Sequence, residues 1–170
     1  MSQPSKTRAV RWVERGATDP VKSIRYEGAE RARPAPGVVE AVREADVVVL
    51  CPSNPVASIG PILAVPGIRE ALASRRSTVS GVSPIVGGAP LRGMADKLLP
   101  VAGVAVTAAA VAGHYAELMG AWVMDRQDAQ LETEVRSLGL RTAVTDTIMR
   151  DDASAEALAR VALHAAERGA

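Results

Sequence analysis

Apolar residues along this chain fall into short unbroken runs separated by amphipathic stretches, the pattern of buried parallel strands alternating with helices. Val47 to Leu50 sits inside a strand predicted over 46–51, and Thr78 to Val82, Ala121 to Asp125 and Leu140 to Thr145 read as three more. Apolar positions at helical spacing predict helices over about 37–45, 61–73, 93–99, 107–119, 127–138 and 153–168. Pro36 marks the start of the first helix, and Pro66 splits the second after its first turn. Gly139 fits the C′ position of the fifth helix, and Asp152 or Ser154 can cap the last.

This alternation places the chain in the α/β class, as a Rossmann-like parallel sheet with helices on both faces. Four strands fall short of the five or six of a full doubly wound domain, and no G-x-G-x-x-G turn or P-loop lysine is present. The expectation is therefore part of such a fold, lacking its N-terminal strands. The first 35 residues are the least regular, with Val21 to Tyr26 as a possible strand and Pro34 and Pro36 as punctuation. Residues 1–7 read as a frayed tail and 8–170 as one α/β domain.

At 170 residues and 48% hydrophobic content the chain can bury a real core. With two Trp, two Tyr and no Phe, that core must be built from Val, Leu, Ile and Ala. The 20 basic and 19 acidic side chains provide no basic field for nucleic acid and no polybasic anchor for a membrane. The longest mild apolar stretch, Val101 to Gly113, is 13 residues, against the roughly 20 that cross a bilayer. The polar start, Met1 to Arg8, lacks the apolar segment of a secretory signal, so a cytoplasmic location is expected. Cys51 closes a strand and reads as a small buried residue rather than a reactive thiol.

The most distinctive stretch is Cys51-Pro-Ser-Asn-Pro-Val-Ala-Ser-Ile-Gly60, which leaves a buried strand and opens a helix. In α/β proteins this junction presents backbone N–H groups and a positive helix end to anions. Ser53, Asn54 and Ser58 can donate to phosphate oxygens or a nucleobase, and Gly60 lets the backbone approach a ligand closely. The plainer reading is a rigid turn with a capped helix. The arrangement recurs after Thr78 to Val82, where Ser83, Gly87, Gly88 and Arg92 form a similar set. Arg92 can clamp a phosphate with two hydrogen bonds or serve as a solvated surface charge.

Elsewhere the chemistry is thinner. His114 lies in a helical stretch and reads as packing, capping or a proton shuttle. Asp125 and Asp146 each end a strand, where a ligand contact and a cap for the next turn are both possible, while Asp96 favours a helix start. The two histidines are far apart in sequence and no aspartate pair has a metal-site spacing, so no metal ligand set is readable. No Ser lies in G-x-S-x-G, and Cys51 lacks an evident base. What remains is transfer chemistry driven by positioning and electrostatics.

Several long motifs together resemble the 2-phospho-L-lactate transferase family of coenzyme F(420) biosynthesis. They are Glu27 to Gly37, Ala45 to Arg69, Val82 to Gly88, Gly113-His-Tyr115, Trp122 to Asp125 and Val144 to Asp151, and they cover nearly the whole chain from about residue 9. The resemblance implies a Rossmann-like core with an added helical part. It also implies transfer of a 2-phospholactyl group, or in actinobacteria a phosphoenolpyruvyl group, from a guanosine diphosphate carrier. The acceptor is the hydroxyl of a deazaflavin, 7,8-didemethyl-8-hydroxy-5-deazariboflavin, and GMP is released with Mg²⁺. Ser53, Asn54, Ser58, Gly60, Ser83, Gly87, Gly88, Arg92 and His114 would then contribute to substrate binding, with the catalytic residues unassigned.

Family members are about twice this length and begin with a Gly-Gly-x-Gly-Gly-type turn followed by a metal-associated aspartate. Residues 1–35 do not match that half. Gly113 also stands where an acidic residue commonly precedes His-Tyr, and Met94 where a proline follows the Leu-Arg/Lys-Gly motif. The chain is expected to be a C-terminal piece, with three roles open to it: the transferase or its half; a non-catalytic guanine-nucleotide-binding module completing a separate N-terminal chain; or a nonfunctional fragment whose bare sheet edge invites homodimerisation or aggregation.

Overall fold

The computed structural model describes residues 12–168, so the tail expected over 1–7 lies outside the described residues. In chain order the strands are β1 (Val48–Leu50), β2 (Val79–Val82), β3 (Ile85–Val86), β4 (Ala89–Pro90), β5 (Ala121–Asp125) and β6 (Arg141–Thr145). The helices are α1 (Val38–Glu44), α2 (Gly60–Leu63), α3 (Ile68–Ser74), α4 (Ala95–Leu98), α5 (Ala108–Tyr115), α6 (Glu132–Ser137) and α7 (Asp152–Glu167). Four strands form one parallel sheet in the order β1-β2-β5-β6, as the alternation of patterns requires. Helices cover both faces of that sheet.

Period-2 alternation sorts the strand residues between the two faces. Val48, Leu50, Val79, Trp122, Met124 and Val144 pack on the face that carries α3, α5 and α6. Val49, Val82, Ala121, Val123 and Ala143 pack under α7 through Leu158, Ala162 and Ala165. Gly81 faces the first side because a Cβ there would stand 2.6 Å from the Trp122 ring and 2.7 Å from the Met119 sulfur. Parallel register sets Gly81 beside Trp122, so the largest side chain of the core, 1% exposed, fills the space that the glycine leaves. On the α7 face, the Ser80 hydroxyl donates to the Ala162 carbonyl at 2.8 Å, locking the helix over β2.

Local chemistry accounts for the element ends. Asp151 caps α7, accepting from the Ser154 N–H at 2.8 Å, while the Ser154 hydroxyl reaches back to the Asp151 N–H at 3.0 Å. The cap was expected at Asp152 or Ser154; Asp152 is instead the first helical residue. Gly139 follows α6 with φ +75°, as a C′ residue should.

Three further expectations need correction. Val21 to Tyr26 is not a strand: among the described residues no strand offers its backbone a ladder, and the segment is held by Val21 and Ile24 packing on the core. Cys51 is exposed, because β1 ends at Leu50 and the chain turns outward one residue later. Ile85–Pro90, read only as a loop, forms the β3–β4 hairpin, in which Gly87 (φ +59°) and Gly88 (φ +80°) supply the two positive-φ positions of a tight primed turn. Among the described residues no single helix is long and apolar enough to cross a membrane.

Candidate functional site

Both Ser/Gly-rich loops leave the carboxyl ends of adjacent parallel strands, β1 and β2, and so emerge side by side at one edge of the sheet. Helix α4, which follows the second loop, packs against the turn Pro55–Ile59 of the first. That turn is a π-helical coil, wider than an α-helical turn, entered through Asn54. Its carboxamide oxygen accepts from the Val56 N–H at 2.9 Å and the Ala57 N–H at 3.0 Å. Asn54 is therefore engaged as the cap of the turn. Asn54→Ala should cost about 1 kcal/mol and lower the urea midpoint without changing the slope; an unchanged midpoint would show that the cap is dispensable.

Ser53 is half-buried and Ser58 exposed, and neither side chain has a hydrogen-bond partner among the described residues. Both hydroxyls are thus available at the lip of the first loop. Gly60 takes ordinary helical φ, and its lack of a side chain serves a neighbour within the fold: a Cβ would overlap the Tyr26 hydroxyl and approach the Pro55 carbonyl to 2.9 Å. Tyr26 in turn donates to the Val56 carbonyl at 2.6 Å. The close backbone approach at this glycine is made by Tyr26 rather than by open space for a ligand.

The second loop is equally divided between structure and availability. Ser83 is 2% exposed, donating to the Ile85 carbonyl at 2.8 Å and accepting from its N–H at 3.2 Å, so its hydroxyl is committed to the turn. The Gly87 N–H donates to the Asp128 carboxylate at 3.0 Å, and a Cβ on Gly87 would lie 3.1 Å from the Gln127 amide oxygen. Gly88 faces open space. Arg92 is exposed and makes no ion pair among the described residues, which leaves its guanidinium free for an anion.

Two aspartates that pattern reading left ambiguous, or did not single out at all, tie this edge together. Asp125, 3% exposed, accepts from Gln127 N–H (3.0 Å), Thr147 N–H (2.9 Å) and the Thr147 hydroxyl (3.0 Å). Burial pushes its carboxyl up, but these three donors outweigh it and hold the group below the usual carboxylate range. Asp128, 2% exposed, anchors the glycine hairpin; Asp146 is exposed and bridges to Arg150 at 2.7 Å. No motif marks Asp128, and only its position just past a strand end could have pointed to it.

His114 belongs to α5 rather than to either loop. It occupies the last turn of α5, the turn that leads to the amino end of β5, and stacks edgewise on Tyr115 with ring centroids 4.9 Å apart. Burial, with the nearby Arg69 charge, lowers the pKa of its imidazole. Among the described residues no group of three or more His, Cys, Asp or Glu side chains could hold a metal ion, so the residues present do not by themselves fit a Mg²⁺ site.

A Ser/Asn turn and a Gly-Gly hairpin at neighbouring strand ends, with one unpaired arginine, coincide with a match to the family model for 2-phospho-L-lactate transferase CofD over residues 6–163. The chain belongs to the 2-phospho-L-lactate transferase family. It is 53% identical over 158 residues to the phosphoenolpyruvate transferase of Streptomyces coelicolor, covering 92% of this chain and 49% of that relative. The Streptomyces griseus phosphoenolpyruvate transferase is 52% identical over 157 residues, with the same coverage. That of Mycobacterium sp. (strain KMS) is 43% identical over 155 residues, covering 91% of this chain and 47% of the relative. The chain thus spans about half the length of these transferase-family relatives and corresponds to a C-terminal portion of them.

Proposed function

We propose that this chain supplies the carrier-binding loops of a transferase in coenzyme F(420) biosynthesis. In that reaction a 2-phospholactyl or phosphoenolpyruvyl group moves from a guanosine diphosphate carrier to the hydroxyl of 7,8-didemethyl-8-hydroxy-5-deazariboflavin. The acceptor oxygen forms a bond to the phosphorus bearing the three-carbon acid, the phosphoanhydride bond breaks, GMP leaves and the hydroxyl proton is lost. The observation that carries the reading is the pairing of two donor-rich loops at the carboxyl ends of β1 and β2. There the Ser53 and Ser58 hydroxyls and the Arg92 guanidinium have no partner of their own among the described residues.

In this reading Arg92 neutralises phosphate charge, the serines hydrogen-bond phosphate oxygens or guanine, and the open face at Gly88 admits the diphosphate without a Cβ in the way. Asn54, Ser83, Asp125 and Asp128 keep the loops in shape, so that the donors need no rearrangement when the carrier arrives. A second reading follows from the half-length match: a guanine-nucleotide-binding part that completes an N-terminal half carried on another chain, without catalysis of its own.

A thermal melt with and without GDP tests the shared core of both readings. Binding at about 100 times the dissociation constant adds roughly 2.7 kcal/mol to a folded binder. A midpoint indifferent to GDP and Mg²⁺ would remove nucleotide binding from this chain alone. Arg92→Ala should weaken GDP binding by about tenfold or more, the scale of one lost charged hydrogen bond. Unchanged affinity would exclude Arg92 from the site. Assaying transfer to the deazaflavin with and without the first half of a relative then separates catalysis from binding.

A further inference from the structure

In the order β1-β2-β5-β6 no strand follows β6 among the described residues. Helix α7 packs over β2, β5 and β6, and where it reaches the last strand a groove of about 760 Å³ stays open between them. That volume is the size of a small-molecule site. Leu140, Ala143 and Val161 give the groove an apolar wall, while Arg136, Arg141, Arg160 and Arg168 line it with guanidinium groups beside the His164 imidazole. The near balance of charge over the whole sequence hides this concentration, because α6, β6 and α7 each contribute to it.

The arginines of the groove are not alike. Arg136 and Arg160 are neutralised on their own helices, by Glu132 and Glu156, each at 2.7 Å. Arg141 and Arg168 meet no carboxylate among the described residues: Arg168 donates to His164 Nε2 at 3.2 Å, and Arg141 donates to main-chain carbonyls, among them Ser77 at 2.8 Å and Ala165 at 3.1 Å. The Nη1 of Arg141 has no hydrogen-bond partner among the described residues. Arg76, near it, carries the same charge and the same kind of partner, the Ala116 and Gly139 carbonyls. Burial and the Arg76 charge push the pKa of Arg141 down, the mark of a cation short of counter-charge. Carbonyls at the end of α7 offset part of that charge through the helix dipole, and an anion in the groove would offset the rest.

We propose that this groove binds a phosphate monoester with an apolar body, its phosphate between Arg141 and Arg168 and its body along Leu140, Ala143 and Val161. A monoester carries about 1.5 to 2 negative charges at neutral pH, which matches two guanidinium groups without a carboxylate. Its terminal oxygens also accept from several directions, where a carboxylate fills one fork. Glu132, Glu156 and Glu167, each paired with a residue that lines the groove, repel a longer polyanion, so the fit is to a compact ligand. The site is separate from the carrier loops: Arg141 opens β6 at its amino end, whereas those loops leave the carboxyl ends of β1 and β2 in the same parallel sheet. The proposal holds whether or not those loops take a nucleotide.

Titrating the whole chain with phenyl phosphate, followed by amide chemical shifts and calorimetry, tests the assignment. Shifts should concentrate on residues 140–143 and 160–168 and saturate with a dissociation constant at or below about 1 mM. Arg168→Glu, at an exposed position outside the sheet, should weaken binding by about tenfold or more, the scale of one lost charged hydrogen bond. Arg141→Lys keeps a charge beside the α7 carbonyls but loses the fork, and should weaken it likewise, whereas Arg92→Ala should leave it unchanged. No saturable binding, shifts confined to residues 53–58 and 87–92, or loss of binding in Arg92→Ala instead of Arg168→Glu would each overturn the site. Benzoate binding as tightly as phenyl phosphate would overturn the choice of phosphate, and inorganic phosphate binding as tightly would overturn the apolar body in favour of the free ion.

Discussion

Asp125→Ala should lower the stability of this chain by about 3 kcal/mol, because it strands three buried or half-buried donors at once, each costing about 1 kcal/mol or more when unpaired. For a domain of this size that corresponds to a fall of about 6–12 °C in the melting midpoint. The donors are the N–H groups of Gln127 and Thr147 and the Thr147 hydroxyl, so the damage falls on the segments leaving β5 and β6 rather than on the sheet. Asp125→Asn keeps one acceptor oxygen and should lose about half as much. The sign with pH follows from the lowered carboxyl pKa: Asp125 contributes fully above the unfolded value of about 4 and progressively less as acid protonates the folded group. The gap in stability between wild type and Asp125→Asn should therefore narrow below about pH 4. A gap that stays constant down to about pH 2 would show that the carboxylate charge is not what the three donors hold.

The second large effect concerns Gly60→Ala, which should cost about 2 kcal/mol as an overpacking substitution and remove any stabilisation by GDP. The added methyl overlaps the Tyr26 hydroxyl and meets the Pro55 carbonyl at 2.9 Å. The tyrosine can swing away only by abandoning its 2.6 Å bond to the Val56 carbonyl, and the backbone oxygen can yield only if the wide turn Pro55–Ile59 opens. The substitution therefore acts on the shape of the first loop. A double-mutant cycle with Tyr26→Ala isolates the cause, since residues in contact fail to add by about 0.5 kcal/mol or more. Strict additivity would show that Tyr26 is not what the methyl displaces, and a preserved GDP response would separate this turn from nucleotide binding.

Strand and helix periodicity, read residue by residue, marked out most of the architecture. The four strands of the main sheet lie where apolar runs place them, β5 to the residue, because a strand buried on both faces has no polar positions to blur its ends. Pro66 separates α2 from α3 as its missing N–H demands. The Gly-Gly turn of the β3–β4 hairpin was also present as a signal, yet the two-residue strands around it are too short to show alternation. Val21 to Tyr26 has strand-like composition and, among the described residues, no neighbour to pair with, and pairing is a property of two segments that one segment's pattern does not contain.

The candidate site divides along the same line. The order of residues alone determined the α/β class, the two donor-rich loops after β1 and β2, and membership of the 2-phospho-L-lactate transferase family, since each is carried by periodicity or by long motifs. Tertiary structure alone decided which side chains in those loops are free. Asn54 spends its carboxamide oxygen and Ser83 its hydroxyl on their own turns, Gly60 makes room for Tyr26, His114 stacks on Tyr115, and Asp128, unmarked by any motif, anchors Gly87. Hydrogen-bond partners and close approaches join residues far apart in the chain, Gly87 to Asp128 across 41 positions and Asp125 to Thr147 across 22, and such pairings exist only once the sheet has brought its strand ends together.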